Sequence, residues 1–323
     1  MAASQARKTQ LLPSFLTLTT GAIRSSLKLK MAKVIVGRGN ILSRSGDIDT
    51  ARLKKLIIKS LQALVDTPSL PEALHQIFPR PASVGLKINT IAGKKLSTRP
   101  EVSLTLGRLL LANHSGLRQV IIWDRTNREL KQAGYRLSQK GDIRIFGTDT
   151  RGVGYENKLV MTQNIGSLFS VIQTKLTHYS VSLAILKDHG LAGVTAGLKN
   201  YYGAVHNPNK YHDNHCDPFV AELFSTPPVK NKHRLTIIDA LLVQFHRGPS
   251  YHPRWTARKN MLIFSLDPVA ADTVGWQIID QLRRQAGLPS LAEEGRTPLY
   301  LQTAEKMGLG QTSGKIEIKE IEA

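Results

Sequence analysis

A chain of 323 residues is long enough to bury a sizeable core, as one large domain or as two lobes. Its 41% hydrophobic and 21% charged residues are ordinary for a soluble globular protein, and no apolar run is long enough for a transmembrane helix. The single cysteine, Cys216, excludes an internal disulfide and a four-cysteine iron–sulfur cluster, so any cofactor must be held mainly by nitrogen and oxygen.

The formal charge of +20 points first to anionic partners. Its distribution argues against nucleic acid. Residues 1–60 hold twelve basic residues against only Asp47 and Asp49, so this fifth of the chain supplies half the excess. No zinc finger, RNA-recognition signature or basic stripe interleaved with aromatics accompanies it. A nucleic-acid or anionic-surface binder acting through the basic amino-terminal region stays a subordinate alternative.

Residues 1–31 read as a disordered basic extension or a degenerate targeting segment: acids are absent, and the apolar patch Leu11–Leu18 is broken by Pro13. The first reading leaves the protein cytoplasmic; the second sends it out of the cell or to an organelle through residues 1–30. From Lys33 onward short apolar runs alternate with amphipathic stretches. Strands are expected at Lys33–Gly37, Val84–Asn89, Gln119–Asp124, Asp142–Phe146, Ser182–Leu186, Leu235–Ala240 and Met261–Ser265. Helices are expected from Asp49 or Thr50 to Val65, from Pro100 to about His114, around Arg128–Ala133, from Asp267-Pro268, and over Leu299–Met307. Residues 311–323 read as a tail. The alternation predicts an α/β fold over 32–310, a largely parallel sheet flanked by helices, possibly as two lobes with the site between them. In such sheets ligands bind beyond the carboxyl ends of the strands, which makes Asp124, Lys187–His189, Asp239 and Ser265–Asp267 candidates for one rim.

Eight of the ten histidines fall between His178 and His252. The densest stretch runs Lys187-Asp188-His189-Gly190, then Thr195-Ala196-Gly197-Leu198-Lys199-Asn200-Tyr201-Tyr202-Gly203, and on to His206, His212, His215 and Cys216. A strand ending in Lys-Asp-His-Gly before small residues that open a helix aims backbone N–H groups at a ligand. His189 at the strand end is the expected acid/base, Lys199 a phosphate or carboxylate holder or covalent nucleophile, and Asn200 a carbonyl-fixing group. His212 and His215, three apart, suit two ligands of one divalent transition metal. Lys187, Asp124, Asp239, Gly248-Pro249 and Asp267 are the expected substrate-binding positions. Asp267 also reads simply as a helix N-cap, whereas Asp272, one turn in, is not explained by capping. No Walker loop, G-x-G-x-x-G, H-E-x-x-H or G-x-S-x-G is present.

The Leu186–His189 and Thr195–Gly203 runs, Ile237-Ile238-Asp239-Ala240, the Gly248-Pro249 turn and Asp267-Pro-Val-Ala-Ala-Asp272 resemble domain-of-unknown-function family 362 over roughly residues 80–310. That family has no settled activity; some members carry a ferredoxin-like cysteine module, which this chain lacks. The spacing of His189, Lys199 and His215 is also similar to that of nickel-pincer lactate racemases. That likeness implies His189 as proton or hydride partner, Lys199 as cofactor tether and His215 as nickel ligand. Where the racemases have a second His before an Arg, this chain has Asp124-Arg125. Together these readings predict a racemase-like isomerase or an oxidoreductase. It would move a proton or hydride on a small anionic substrate with a metal or metal-bearing cofactor. A binding module for the same anion, without turnover, is the main alternative.

Overall fold

The computed structural model describes residues 31–323 apart from 313 and 315; the expected extension at 1–31 lies, but for Met31, outside the described residues. In chain order the strands are β1 (Ala32–Arg38), β2 (Ala82–Ile88), β3 (Leu117–Trp123), β4 (Ile143–Ile145), β5 (Val160–Thr162), β6 (Ile165–Ser167), β7 (Tyr179–His189), β8 (Gly193–Thr195), β9 (His233–Gln244), β10 (Thr256–Ser265) and β11 (Ile316–Glu322). The helices are α1 (Thr50–Leu64), α2 (Leu70–Ile77), α3 (Pro100–Asn113), α4 (Asn127–Gln132), α5 (Phe219–Ser225), α6 (Pro227–Lys230), α7 (Pro268–Gln285) and α8 (Tyr300–Lys306).

The main sheet runs β11-β1-β10-β9-β7-β2-β3-β4, with β8 folded back on β7; β5 and β6 form a separate hairpin. It is mostly parallel, as expected: only β10 and β8 run against their neighbours. Residues 31–323 form one unit, so the two-lobe alternative falls away. Among the described residues no helix is long and apolar enough to cross a membrane.

Alternation along each strand sends side chains to both faces of the sheet, where three apolar clusters lie. On β1, Ile35 enters the core beneath α1–α3, while Val34 and Val36 enter the core beneath α7. On β3, Val120 and Ile122 share the first core; Ile121 and Trp123 join a third cluster with α5 and α8. The fully buried β7 lies between covered faces, which is why its sequence carries no charge before Lys187. In α1 the stripe of Leu53, Leu56, Ile57, Leu61 and Leu64 is the buried face, each side chain contributing roughly 1.5–3 kcal/mol. Asp49 caps this helix by accepting the Arg52 N–H at 3.0 Å.

Two expectations need correction at this level. Residues 316–322, read as part of a tail, form the edge strand β11, parallel to β1. The apolar signal is weak because Ile316, Ile318 and Ile321 alternate with charges on a largely exposed strand. The proposed rim also loses members. Because β10 is antiparallel, Ser265 pairs with Thr236 near the start of β9, and Asp267 caps α7 at the opposite end of the sheet. Asp239 lies inside β9, opposite Ile185 and Leu262, well short of the strand end at Gln244.

Asp239 is fully buried and faces the start of α3. Its carboxylate lies 3.6 Å from the Arg99 guanidinium and accepts the N–H groups of Arg99 and Leu241 at 3.3 and 3.0 Å. Burial nevertheless pushes this carboxyl up. Replacing Asp239 by Ala should strand the Arg99 cation and cost about 3 kcal/mol in urea unfolding. The double replacement of Arg99 and Asp239 by Leu should cost less than either single change.

Candidate active site

The site is built on the carboxyl ends of the parallel strands. At the end of β7 the chain folds back through Gly193 (φ 74), so that β8 pairs Thr195 with Lys187. A Cβ at Gly193 would sit 2.3 Å from the Arg296 carbonyl oxygen, which leaves room only for glycine. Asp188 ties the rim together. Its carboxylate accepts the Gly248 N–H at 2.8 Å and meets the Arg296 guanidinium at 2.8 Å and that of Arg283 at 3.8 Å. Gly248 approaches so closely that a Cβ there would lie 1.8 Å from the Asp188 carbonyl oxygen. Gly248 therefore serves the scaffold, and Pro249 beside it lines the cavity.

The Lys199-Asn200 segment is held from below by α7. Asp272, fully buried, accepts the N–H groups of Gly197 and Leu198 at 2.6 and 3.0 Å, and the Ser182 hydroxyl donates to the Gly197 carbonyl at 2.7 Å. Burial pushes the Asp272 carboxyl up to about 7 against the pull of those two N–H groups. The following turn, Lys199–Ala204, is a 3₁₀ helix rather than the expected α-helix. Asn200 is fully engaged within the protein: its amide donates to the Lys87 carbonyl at 2.7 Å and the Ser182 hydroxyl at 3.1 Å, and accepts from Lys87 Nζ at 3.2 Å. It positions Lys87.

Lys87 is the residue the sequence reading missed. It is buried, pairs with Asp124 at 2.8 Å, and donates to the Ile88 carbonyl at 2.7 Å. The signal was present: a lone lysine in the apolar run Val84-Gly85-Leu86-Lys87-Ile88. Asp124 is saturated, accepting the Thr90 N–H and hydroxyl at 2.8 and 2.7 Å and the Arg125 N–H at 2.8 Å. At Gly203 a Cβ would meet Lys87 Nζ at 2.5 Å and Asp124 Oδ1 at 2.8 Å, so this glycine makes space for the pair.

Above this floor lies a cavity of about 400 Å³ lined by Lys87, Asp124, Arg125, Glu129, Lys187, His189, Lys199, Asn200, Tyr202, His212 and Pro249, among others. Among the described residues Lys187 Nζ hydrogen-bonds to Asn89 Oδ1 alone, at 3.3 Å. Lys199 Nζ lies 3.1 Å from His212 Nε2 and 4.0 Å from the centre of the Tyr202 ring. Among the described residues neither lysine makes an ion pair with a carboxylate. Burial pushes Lys187 down to about 7 against the opposing Asp124 charge, with a smaller push from Lys199, and pushes Lys199 down to about 8 against its contact with Cys216.

The two cavity histidines have assignable tautomers. His189 Nδ1 accepts the N–H groups of Leu191 and Ala192 at 3.2 and 3.1 Å, which places a neutral ring's proton on Nε2. His212 Nδ1 donates to the Pro208 carbonyl at 3.2 Å, leaving the Nε2 lone pair toward Lys199. Burial first, and Lys199 next, hold both imidazoles below their usual range. The rings stack with centroids 5.6 Å apart.

His215 does not join them. It is exposed, its Nδ1 lies 3.1 Å from the Leu191 carbonyl, and it does not line the cavity. Asn214, His215 and Cys216 all have positive φ, so residues 208–216 break into two 3₁₀ turns and the helical face implied by the spacing of His212 and His215 never forms. Among the described residues no group of three or more His, Cys, Asp or Glu side chains is arranged to hold a metal ion.

The model of a family described as a domain of unknown function, DUF362, matches residues 84–277, from β2 into α7. The chain belongs to the DUF362 family. The matched DUF362 region contains Lys87, Asp124, Lys187, His189, Lys199, His212 and Asp272; Arg283 and Arg296, which hold Asp188, lie beyond it. No curated protein matches the chain. A protein from Thermotoga maritima with a crystal structure is similar at 10% identity and a TM-score of 0.41, over 75% of this chain; the chain spans 60% of that protein.

Gly248→Ala must push the loop off Asp188. The expected outcome is a loss of at least about 2 kcal/mol in chemical unfolding, because the buried Asp188 carboxylate loses its N–H partner. Fluorescence-monitored urea titration reads it.

Proposed function

We propose that this DUF362 protein is an enzyme that binds a small anion in the basic cavity and moves a proton on it. One observation carries the reading: among the described residues neither Lys187 nor Lys199, both buried at the cavity, is ion-paired with a carboxylate, and the Asp124 charge that bears on Lys187 is already paired with Lys87. An isolated buried ammonium costs several kcal/mol, so these amines give up protons readily in the empty cavity. An entering carboxylate or phosphate supplies the missing countercharge. Lys87 is already balanced by Asp124, so it adds a fixed positive end without attracting a second anion as strongly. Arg125 and Glu129 stand at the cavity wall.

The Lys199–His212 pair is the proton-handling element. His212 presents an acceptor lone pair, and a lysine held near neutrality accepts and releases protons at working pH. The Nε2–H of His189 is a donor available to an oxygen on the substrate. The pincer-cofactor reading is not supported by this geometry, since His215 faces the Leu191 carbonyl; no step is assigned to a metal.

Anion binding should take up protons between about pH 7 and 9, because the bound charge raises the lysine pKa values from the lowered values of about 7 and 8. Calorimetry with phosphate in buffers of differing ionisation enthalpy reads the uptake. Affinity is expected to be highest below the lower of these values and to fall as pH rises through both. Lys187→Met and Lys199→Met should each weaken phosphate binding by about tenfold or more. Turnover has its own readout: small carboxylates incubated in deuterium oxide should exchange a carbon-bound hydrogen next to a carbonyl group. Exchange should disappear in Lys199→Met. Binding without exchange for any such carboxylate would make the protein a binding module.

A further inference from the structure

Lys199 combines three features that the anion site alone does not require. Its only residual exposure, 6%, leaves it at the cavity, whereas Lys187 is fully enclosed. Its amine lies 3.1 Å from an imidazole nitrogen whose proton is on the other side of the ring. It also shares the cavity with a second lysine, Lys187, which among the described residues has no carboxylate in ion-pair contact; burial favours the uncharged Lys199 amine against the opposing pull of Cys216. A desolvated lysine beside another cation and a base is the arrangement that makes an amine nucleophilic.

From this geometry we infer that Lys199 forms a covalent imine with a carbonyl carbon of a small carboxylate, with Lys187 as the cation that receives the carboxylate. This rests on the anion-binding reading above and names the substrate class: a carboxylate bearing an adjacent or nearby ketone or aldehyde. Unprotonated Nζ of Lys199 attacks the carbonyl carbon; the C–N bond forms and the C=O electron pair moves to oxygen. His212 Nε2 takes one proton from nitrogen and passes it to that oxygen, giving an adduct with one N–H and one hydroxyl. The C–O bond then breaks as C=N forms, and the second nitrogen proton, carried through His212, leaves with the hydroxyl as water, so amine and carbonyl give imine and water with no oxidant or reductant. A protonated imine draws electrons from the neighbouring carbon and so acidifies its C–H, which explains why a proton-transfer site would hold a lysine here.

The test uses the full chain with pyruvate as the carbonyl probe, acetate as an anion without an accessible ketone, and borohydride to reduce any imine to a stable amine. Intact-mass and peptide mapping should place one reduced adduct on Lys199, with yield at saturating pyruvate rising as pH passes upward through about 8. Acetate should compete. Lys199→Arg, which keeps the charge, should lose the adduct and still bind acetate or phosphate by calorimetry; Lys187→Met should keep the adduct position and require more pyruvate. Absence of an adduct while acetate or phosphate still binds the wild type overturns the imine and leaves the anion site standing. Absence of both adduct and anion binding overturns both readings. An adduct that maps to Lys187 or to surface lysines, or that persists in Lys199→Arg, also overturns the assignment.

Discussion

The cavity depends on the carboxylate of Asp188. At the end of a strand buried along its whole length, one side chain gathers the 245–249 loop through Gly248 and two arginines from the segment after β10. Arg283 and Arg296 both also reach Glu294, so two cations and two carboxylates close on themselves beneath the rim. Such a network is costly to bury unless every member is paired, and here pairing is nearly complete for Asp188. His189 and Lys187, on either side of it, inherit fixed positions. The sharp approach of Gly248 is what brings the loop close enough for Pro249 to form a wall.

Against this balanced base, the layer facing the cavity is left electrically incomplete. Lys87 has Asp124, and Asp124 has the Thr90 and Arg125 donors in addition. Among the described residues Lys187 and Lys199 have no carboxylate in ion-pair contact: Lys187 meets the Asn89 amide, and Lys199 meets the His212 imidazole, the Tyr202 ring and the Cys216 thiol. The contrast separates scaffold from chemistry more sharply than residue type does, since all three are buried lysines within the same site. It also reassigns Asn200, whose amide is spent on Lys87 and Ser182, and gives the fully buried Asp272 a purpose as the clamp on Gly197 and Leu198.

Much of this was legible in the sequence because local signals and burial agree. The apolar runs marked the strands, the Asp49 and Asp267 caps marked two helices, and the run from Lys187 to Gly203 marked the site. What was not legible depends on long-range pairing. Nothing in the composition of β10 says that it runs backwards, yet that direction carries Asp267 away from the rim. His215 was misplaced because three-residue spacing means one face only if the backbone stays helical, and positive φ at three successive residues breaks it. Lys87 was overlooked because one charge inside an apolar strand gains meaning only when Asp124 and Asn200 arrive from distant segments. Asp239 looked like a rim residue because its strand was taken to end at Ala240, whereas pairing carries β9 on to Gln244.

The place of β1 in the sheet has a consequence for how the molecule is made. Both neighbours of this strand lie far along the chain from it: Val34 meets Ser265 of β10 on one side and Ile318 of β11 on the other. The α1–α3 layer can collapse on β2 and β3 while the ribosome is still at work, yet β1 has no partner until most of the chain has been synthesised. Closing such a distant contact is entropically slow. A growing chain therefore carries an unpaired apolar strand until β10 has emerged, exposed to whatever chaperone or neighbouring chain reaches it first.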